Sequence, residues 1–190
     1  EMCIRDSISA TLNGESLDVD AYNTTLSASG ETGENGLLLP SLAAHNTIDI
    51  DAWCHYSTTG EGLHRAVDAA DGTVYLYSQC EPADSKRVFA CFDQPDLKAP
   101  IDLTVTAPAG WEIISNSSIA TSTPAESPIY ADVDAVTHHF QVTNPLCPYV
   151  FALCAGPYHR WSDTYHWHGD DGREITIPLN LYLPLIHISE

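Results

Sequence analysis

The stretch YLYSQCEPADSKRVFACFDQPDLKAP, residues 75–100, holds the side chains best placed to do chemistry. Gln79 and Glu81 lie two apart in a run that alternates like a strand, so both emerge on one face. An amide and a carboxylate at a strand end can grip a cation or an amine. The plain alternative is a solvated bend, and composition alone favours it. His166 and His168 also share a strand face, yet no Asp, Glu or Cys at ligand spacing completes a metal set. They read as exposed strand histidines. His138 and His139 point to opposite faces and do not chelate together. His64 has no nucleophile beside it, which argues against a catalytic base.

The elements that must position Gln79 and Glu81 follow from their neighbours. Thr73, Tyr75 and Tyr77 share their face, while Val74, Leu76, Ser78 and Cys80 point the other way. Pro82 stops the strand and suits the first position of a helix. Residues 83–92 are expected as that short helix. Asp84 falls in its first turn and Lys86 and Arg87 follow, the order the helix dipole favours. Val88, Cys91 and Phe92 have the spacing of a buried face. Residues 93–96, DQPD, then make a turn.

The rest of the chain reads as strands and turns. Asn13-Gly14 is a tight-hairpin signal between strands at 8–12 and 16–19. Residues 21–36 are a polar loop, and 36–42 a short strand interrupted by Pro40. Residues 47–56 and 101–107 alternate as half-buried strands, and 110–115 returns as another. Residues 57–72 and the Ser/Thr/Pro-rich 117–131 read as loops. Residues 136–142, 149–161 and 174–183 are strands, with a hairpin tip at Gly169-Asp170-Asp171-Gly172. The expected fold class is all-β, an antiparallel β-sandwich or saddle with one short helix.

Composition limits the partners. The 190 residues include 26 acidic and 7 basic side chains, for a net charge of −19. Nucleic acid and anionic membrane both need a basic footprint, so neither is an expected partner. No apolar run reaches transmembrane length. The six cysteines have irregular spacing and no CxxC pair. Cys3 lies in the N-terminal EMCIRDS stretch, and most of the other five read as buried thiols on strands, of a reducing, cytoplasmic compartment rather than a disulfide framework or a zinc site. Asn23-Thr24-Thr25 and Asn116-Ser117-Ser118 match the glycosylation pattern by chance on that reading.

The two ends read as foreign to the rest. EMCIRDS (residues 1–7) and LIHISE (185–190) back-translate to one sequencing adapter in opposite orientations. The expected division is an adapter-derived tail at 1–7, a β domain at 8–183 and a second tail at 184–190, with both tails outside the core.

Several ordered motifs carry a resemblance. QCEPADSKRVFACFDQPDLKAP follows a Gln-x-Glu-Pro, Ala-x-x-x-Arg, Cys-Phe-Asp-x-Pro-Asp pattern, accompanied by STTGEGLHR at 57–65, IDLTVTAPAGWEIISN at 101–116 and FALCAGPYH at 151–159. Together they resemble the aminopeptidase N family, zinc exopeptidases of the gluzincin group, and Gly-Glu-Gly-Leu-His-Arg resembles its actinobacterial branch. The resemblance implies an N-terminal β-saddle domain, lacking its first strands and ending before the catalytic domain. It makes Glu81 the residue that binds the free α-ammonium of a peptide and Gln79 a residue lining the pocket for the first side chain. His64 becomes a structural loop residue. The implied cofactor is zinc in the full-length enzyme, with its ligands outside this chain, because neither HExxH nor GxMEN occurs here. The implied partners are a peptide substrate and the domain's own catalytic domain, and the segment alone is expected to hydrolyse nothing. Gln94 stands where the family usually has glutamate, which puts any charge pairing there in doubt. Two other readings stay open. One is a non-catalytic interaction module on the same saddle. The other is a carbohydrate-binding β-sandwich, for which Trp53, Trp111, Trp161 and Trp167 would form a flat platform.

Overall fold

Asn13 and Gly14 both take positive φ, 54° and 84°, the backbone a two-residue hairpin needs. Strand β1 (Ile4–Leu12) therefore turns straight into β2 (Glu15–Ser16), with Leu12 opposite Glu15. The Asn13 carboxamide accepts from the Thr47 N–H at 2.8 Å, which brings in β3 (Ile48–Cys54) on the other side of β1. A computed structural model describes residues 4–19, 39, 41–127 and 132–184, with side chains from residue 9 onward. The loop expected at 21–36 and most of the strand expected at 36–42 lie outside the described residues. Residues 4–7, expected outside the core, continue β1 beside β3, where the register shifts twice.

The remaining strands are β4 (Gly62–Val67), β5 (Val74–Gln79), β6 (Thr104–Pro108), β7 (Glu112–Ser115), β8 (Ile119–Glu126), β9 (Asp134–Phe140), β10 (Leu153–Gly156), β11 (His159–His168) and β12 (Glu174–Leu183). They form a four-stranded sheet β4-β5-β10-β7, a three-stranded sheet β6-β9-β8 and a ribbon β11-β12. Every strand pairing with a described register is antiparallel. The chain is all-β and antiparallel, as the alternation implies.

Two compact units share the chain. The first comprises Glu1–Arg65, Tyr77–Ile101 and Thr143–Ala152. It buries Ala10, Leu12, Cys80 and Phe151, together with the polar Ser57 and Ser85. The second comprises Ala66–Leu76, Asp102–Val142 and Leu153–Glu190. It buries Tyr75, Leu76, Ala107, Ile113, Ala135, Phe140 and Ala155.

The structure departs from the sequence reading in several further places. The helix expected at 83–92 is a 3-10 turn, Ser85–Arg87, and no more. The Arg87 and Val88 N–H groups bond three residues back, and after one bifurcation at Ser85 the chain opens out. Phe89 packs edge-on to Phe151, with 4.9 Å between ring centroids. The loop expected at 57–72 contains β4, and the one expected at 117–131 contains β8. The strand expected at 149–161 is divided by Pro157 into β10 and β11, after a second 3-10 turn, Pro148–Val150. Of the five described cysteines only Cys80 is fully buried; Cys91, Cys147 and Cys154 are half-buried and Cys54 is exposed.

Candidate functional site

β5 carries the site. On its inner face Leu76 and Cys80 are buried, and the Ser78 hydroxyl donates to the Phe151 carbonyl at 3.4 Å. Those contacts fix the strand's rotation and leave the odd-numbered face turned outward at Tyr77, Gln79 and Glu81. Gln79 and Glu81 are exposed, and neither side chain has a hydrogen bond or ion pair among the described residues. Tyr77 precedes them on the same face, under the imidazole of His64 at 4.9 Å between ring centroids. His64 Nδ1 accepts from the Gly60 N–H at 3.0 Å, which closes the turn that leads into β4. His64 therefore serves the turn and the Tyr77 ring, from a strand rather than a loop.

The bend after Glu81 is braced from two sides. The Glu81–Pro82 peptide is cis. The Asp84 N–H donates to the Cys80 carbonyl at 2.8 Å, which holds residues 80–84 as a closed turn. Arg87 Nε lies 2.6 Å from Asp84 Oδ1, off the N–H axis, so the contact is one of charge more than a directed hydrogen bond. Its Nη1 reaches Glu61 Oε2 at 3.4 Å. Gly62, at φ 68°, packs so closely that a Cβ there would stand 2.9 Å from Arg87 Cβ. Asp93 Oδ2 accepts from the Lys86 N–H at 3.2 Å, tying the DQPD turn to the bend. Gln94 is exposed and contributes backbone hydrogen bonds only, so its position makes no charge pair.

Beneath the bend the chemistry is inert. Burial pushes the Cys80 thiol up, partly offset by the adjacent Ser85 hydroxyl. That hydroxyl is fully buried and has no oxygen or nitrogen partner among the described residues. Cys91 is pushed up to about 12, by burial first and by Asp93 second. Neither is a thiolate at neutral pH, so neither offers a nucleophile.

The other sequence candidates do not join this site. His166 Nδ1 meets Thr176 Oγ1 at 3.3 Å, and His168 Nδ1 meets Glu174 Oε1 at 3.2 Å, both exposed on the ribbon. His138 and His139 contact Ser122 and Thr104 at opposite edges of β9. Trp53 sits on β3 in the first unit, while Trp111, Trp161 and Trp167 belong to the second. Trp161 and Trp167 share the exposed face of β11. Among the described residues no three His, Cys, Asp or Glu side chains converge to hold a metal. The residues present do not fit zinc, and no step is routed through it. Glu61, Gly62 and Arg87 escaped the sequence reading as partners, since nothing in their spacing links residues 61 and 87. The motifs GEGLHR, for Glu61 and Gly62, and Ala-x-x-x-Arg, for Arg87, were their visible signals.

Fold and site together define an antiparallel β domain that presents a free amide and carboxylate at a braced strand end. The chain belongs to the peptidase M1 N-terminal domain family, whose model matches residues 14–150. It is 39% identical over 173 residues to aminopeptidase N of Streptomyces lividans, covering 90% of this chain and 17% of that protein. It is 30% identical over 139 residues to leucine aminopeptidase 2 of Emericella nidulans, covering 71% of this chain and 20% of that one. In fold it is similar to a crystal structure of Legionella pneumophila aminopeptidase A in complex with aspartic acid. That match has a TM-score of 0.67 and 23% identity over 95% of this chain and 19% of the other. The chain thus spans about a fifth or less of the length of these relatives.

Proposed function

We propose that this chain is the substrate-anchoring domain of a zinc-dependent aminopeptidase, with Glu81 as acceptor for the substrate's free α-ammonium and Gln79 beside the first side chain. One observation carries the reading. Glu81 is an exposed carboxylate without a partner among the described residues, on a bend that Arg87, Asp84 and Gly62 hold in place. An exopeptidase has to count from the amino end, and a carboxylate at a fixed position does so by accepting the ammonium protons. The relatives' names, aminopeptidase N and leucine aminopeptidase 2, support the reaction class. Zinc and the bond-breaking groups belong to the part of the polypeptide that this segment does not carry, and the segment alone turns over no substrate. The partners are a peptide with a free amino terminus and the catalytic domain. Free cysteines and an acidic surface support a cytoplasmic site of action. Among the described residues no helix is long and apolar enough to cross a membrane.

The test is kinetic. In the longer polypeptide that includes this segment, Glu81→Ala should lower kcat/KM on amino-acid anilides while metal content and folding stay normal. Full activity of that variant would leave the bend as solvated surface and end the assignment.

A further inference from the structure

The outward face of β5 does not stop at Gln79. Glu81, Gln79 and Tyr77 follow one another two residues apart along it, and all three are exposed. Tyr75, next on the same face, is buried, so the open strip ends at the Tyr77 ring. At a strand rise of about 3.3 Å per residue, Gln79 stands roughly 7 Å from Glu81 along the strip and Tyr77 roughly 13 Å from it. Tyr77 is no loose surface ring. The His64 imidazole packs against it with 40° between the ring planes. His64 is itself pinned, through Nδ1, by the Gly60 N–H at 3.0 Å. The tyrosine is therefore backed on one side, with 38% of its surface still open to solvent. A ring held in this way loses little freedom when something lies on it.

Three residues on one strip give a direction. With the ammonium at Glu81 and the first side chain beside Gln79, that side chain runs along the strip towards Tyr77. A short one, such as alanine, ends before the ring. A long one carries on to it. We propose that Tyr77 is a specificity-determining residue, which closes the far end of the first-side-chain pocket and receives the tip of a long side chain ending in a flat group, phenylalanine or arginine. A phenyl ring packs on the tyrosine offset or edge-on, and a guanidinium lies over its face, drawn by the ring quadrupole. The Gln79 amide oxygen, which has no partner among the described residues, is placed to accept from that guanidinium on the way. The inference rests on the anchoring role given to Glu81 and adds to it the length and shape of the residue released.

The experiment assays the longer polypeptide on the anilides of alanine, phenylalanine and arginine, as Tyr77→Ala, Tyr77→Phe and Glu81→Ala against the parent. The quantity read is kcat/KM on the phenylalanine or arginine substrate divided by kcat/KM on the alanine one. Tyr77→Ala should lower these ratios by roughly 3- to 10-fold, the scale of one aromatic or cation–π contact. Tyr77→Phe keeps the ring and should hold them within about twofold of the parent. General damage to β5 slows the three substrates alike and does not move a ratio. Tyr77→Thr, which keeps strand propensity, stands in if Tyr77→Ala does not fold. A fall in only one ratio upholds Tyr77 and names the tip it takes. Unmoved ratios in both Tyr77→Ala and Tyr77→Thr would overturn the assignment. Glu81→Ala should slow all three substrates together. If it does so while the Tyr77 ratios stand still, the Tyr77 assignment fails alone. If Glu81→Ala slows none of them, the anchoring reading fails and this inference falls with it.

Discussion

Arg87 and Asp84 face each other across the 3-10 turn with 2.6 Å between Nε and Oδ1, and both side chains are largely withdrawn from water. The pair stands between the strand end that presents Glu81 and the segment that carries Glu61. Its geometry uses the fork of a guanidinium, since Nε serves Asp84 while Nη1 serves Glu61.

Arg87→Ala should therefore destabilise the chain by roughly 1–3 kcal/mol, because it strands the mostly buried Asp84 carboxylate. Arg87→Lys should recover only part of this, since one ammonium on a flexible stem does not span both acceptors. Urea unfolding of the two variants against the parent checks both statements.

Gly62 and Gly60 make a contrasting pair. Both have positive φ, but a Cβ at Gly62 meets Arg87, whereas one at Gly60 meets open space. Gly60→Ala should cost about 1 kcal/mol from backbone strain alone. Gly62→Ala should cost clearly more, since Arg87 has to give way as well. Parallel denaturation curves would show the difference, and equal losses would mean that the Gly62–Arg87 contact carries no weight.

The anchoring residues should separate by kinetics. A hydrogen bond to a charged group is worth roughly 1.5–3 kcal/mol, so Glu81→Ala in the longer polypeptide should lower kcat/KM by roughly 10- to 150-fold. Glu81→Gln should fall in that range or slightly above it. Gln79→Ala should re-order the preferred first residues with a smaller general loss. Asp96→Asn, on the turn, should leave the ranking alone. A panel of amino-acid anilides reads all four.

Alkaline pH should loosen the bend. The Cys91 thiol ionises near 9.0 when unfolded and near 12 when folded. Its contribution is therefore complete below about pH 9 and is lost as pH rises from there towards 12, because only the unfolded chain sheds the proton. The same sign holds for Cys80 and Cys154, both raised by burial. Cys91→Ser should flatten the fall of Tm over that interval.

Some of this was legible in the residues and some was not. The alternation of β5, the Asn13-Gly14 turn and β12 with the hairpin tip before it were plain, because local pattern and turn chemistry agree there. β8 was not, since IATSTPAE is exposed and has the composition of a loop. It is an edge strand held by backbone pairing to β9, and an edge tolerates Pro124. β4 was hidden in the same way, as a short edge strand opening on a glycine with positive φ. The helix signal at 83–92 was locally sound. Only Ser85–Arg87 forms a turn there, and Phe89 packs against Phe151, 62 residues on, a contact that no local spacing announces. At the site, the shared face of Gln79 and Glu81 followed from period two, whereas the Arg87 brace depends on contacts no spacing announces.

Gly156 on β10 lies against the Tyr75 ring, where a Cβ would stand 2.9 Å from Tyr75 Cδ1 and 3.2 Å from Tyr158 Cε2. The two rings are 4.9 Å apart, and the Tyr158 hydroxyl donates to the Leu76 carbonyl at 3.4 Å. The α-hydrogen that takes the place of that Cβ thus sits within the ring-current field of two tyrosines, while its geminal partner points away. The glycine's proton pair becomes a built-in spectroscopic gauge, its splitting reporting whether β5 is seated before any ligand reaches Glu81.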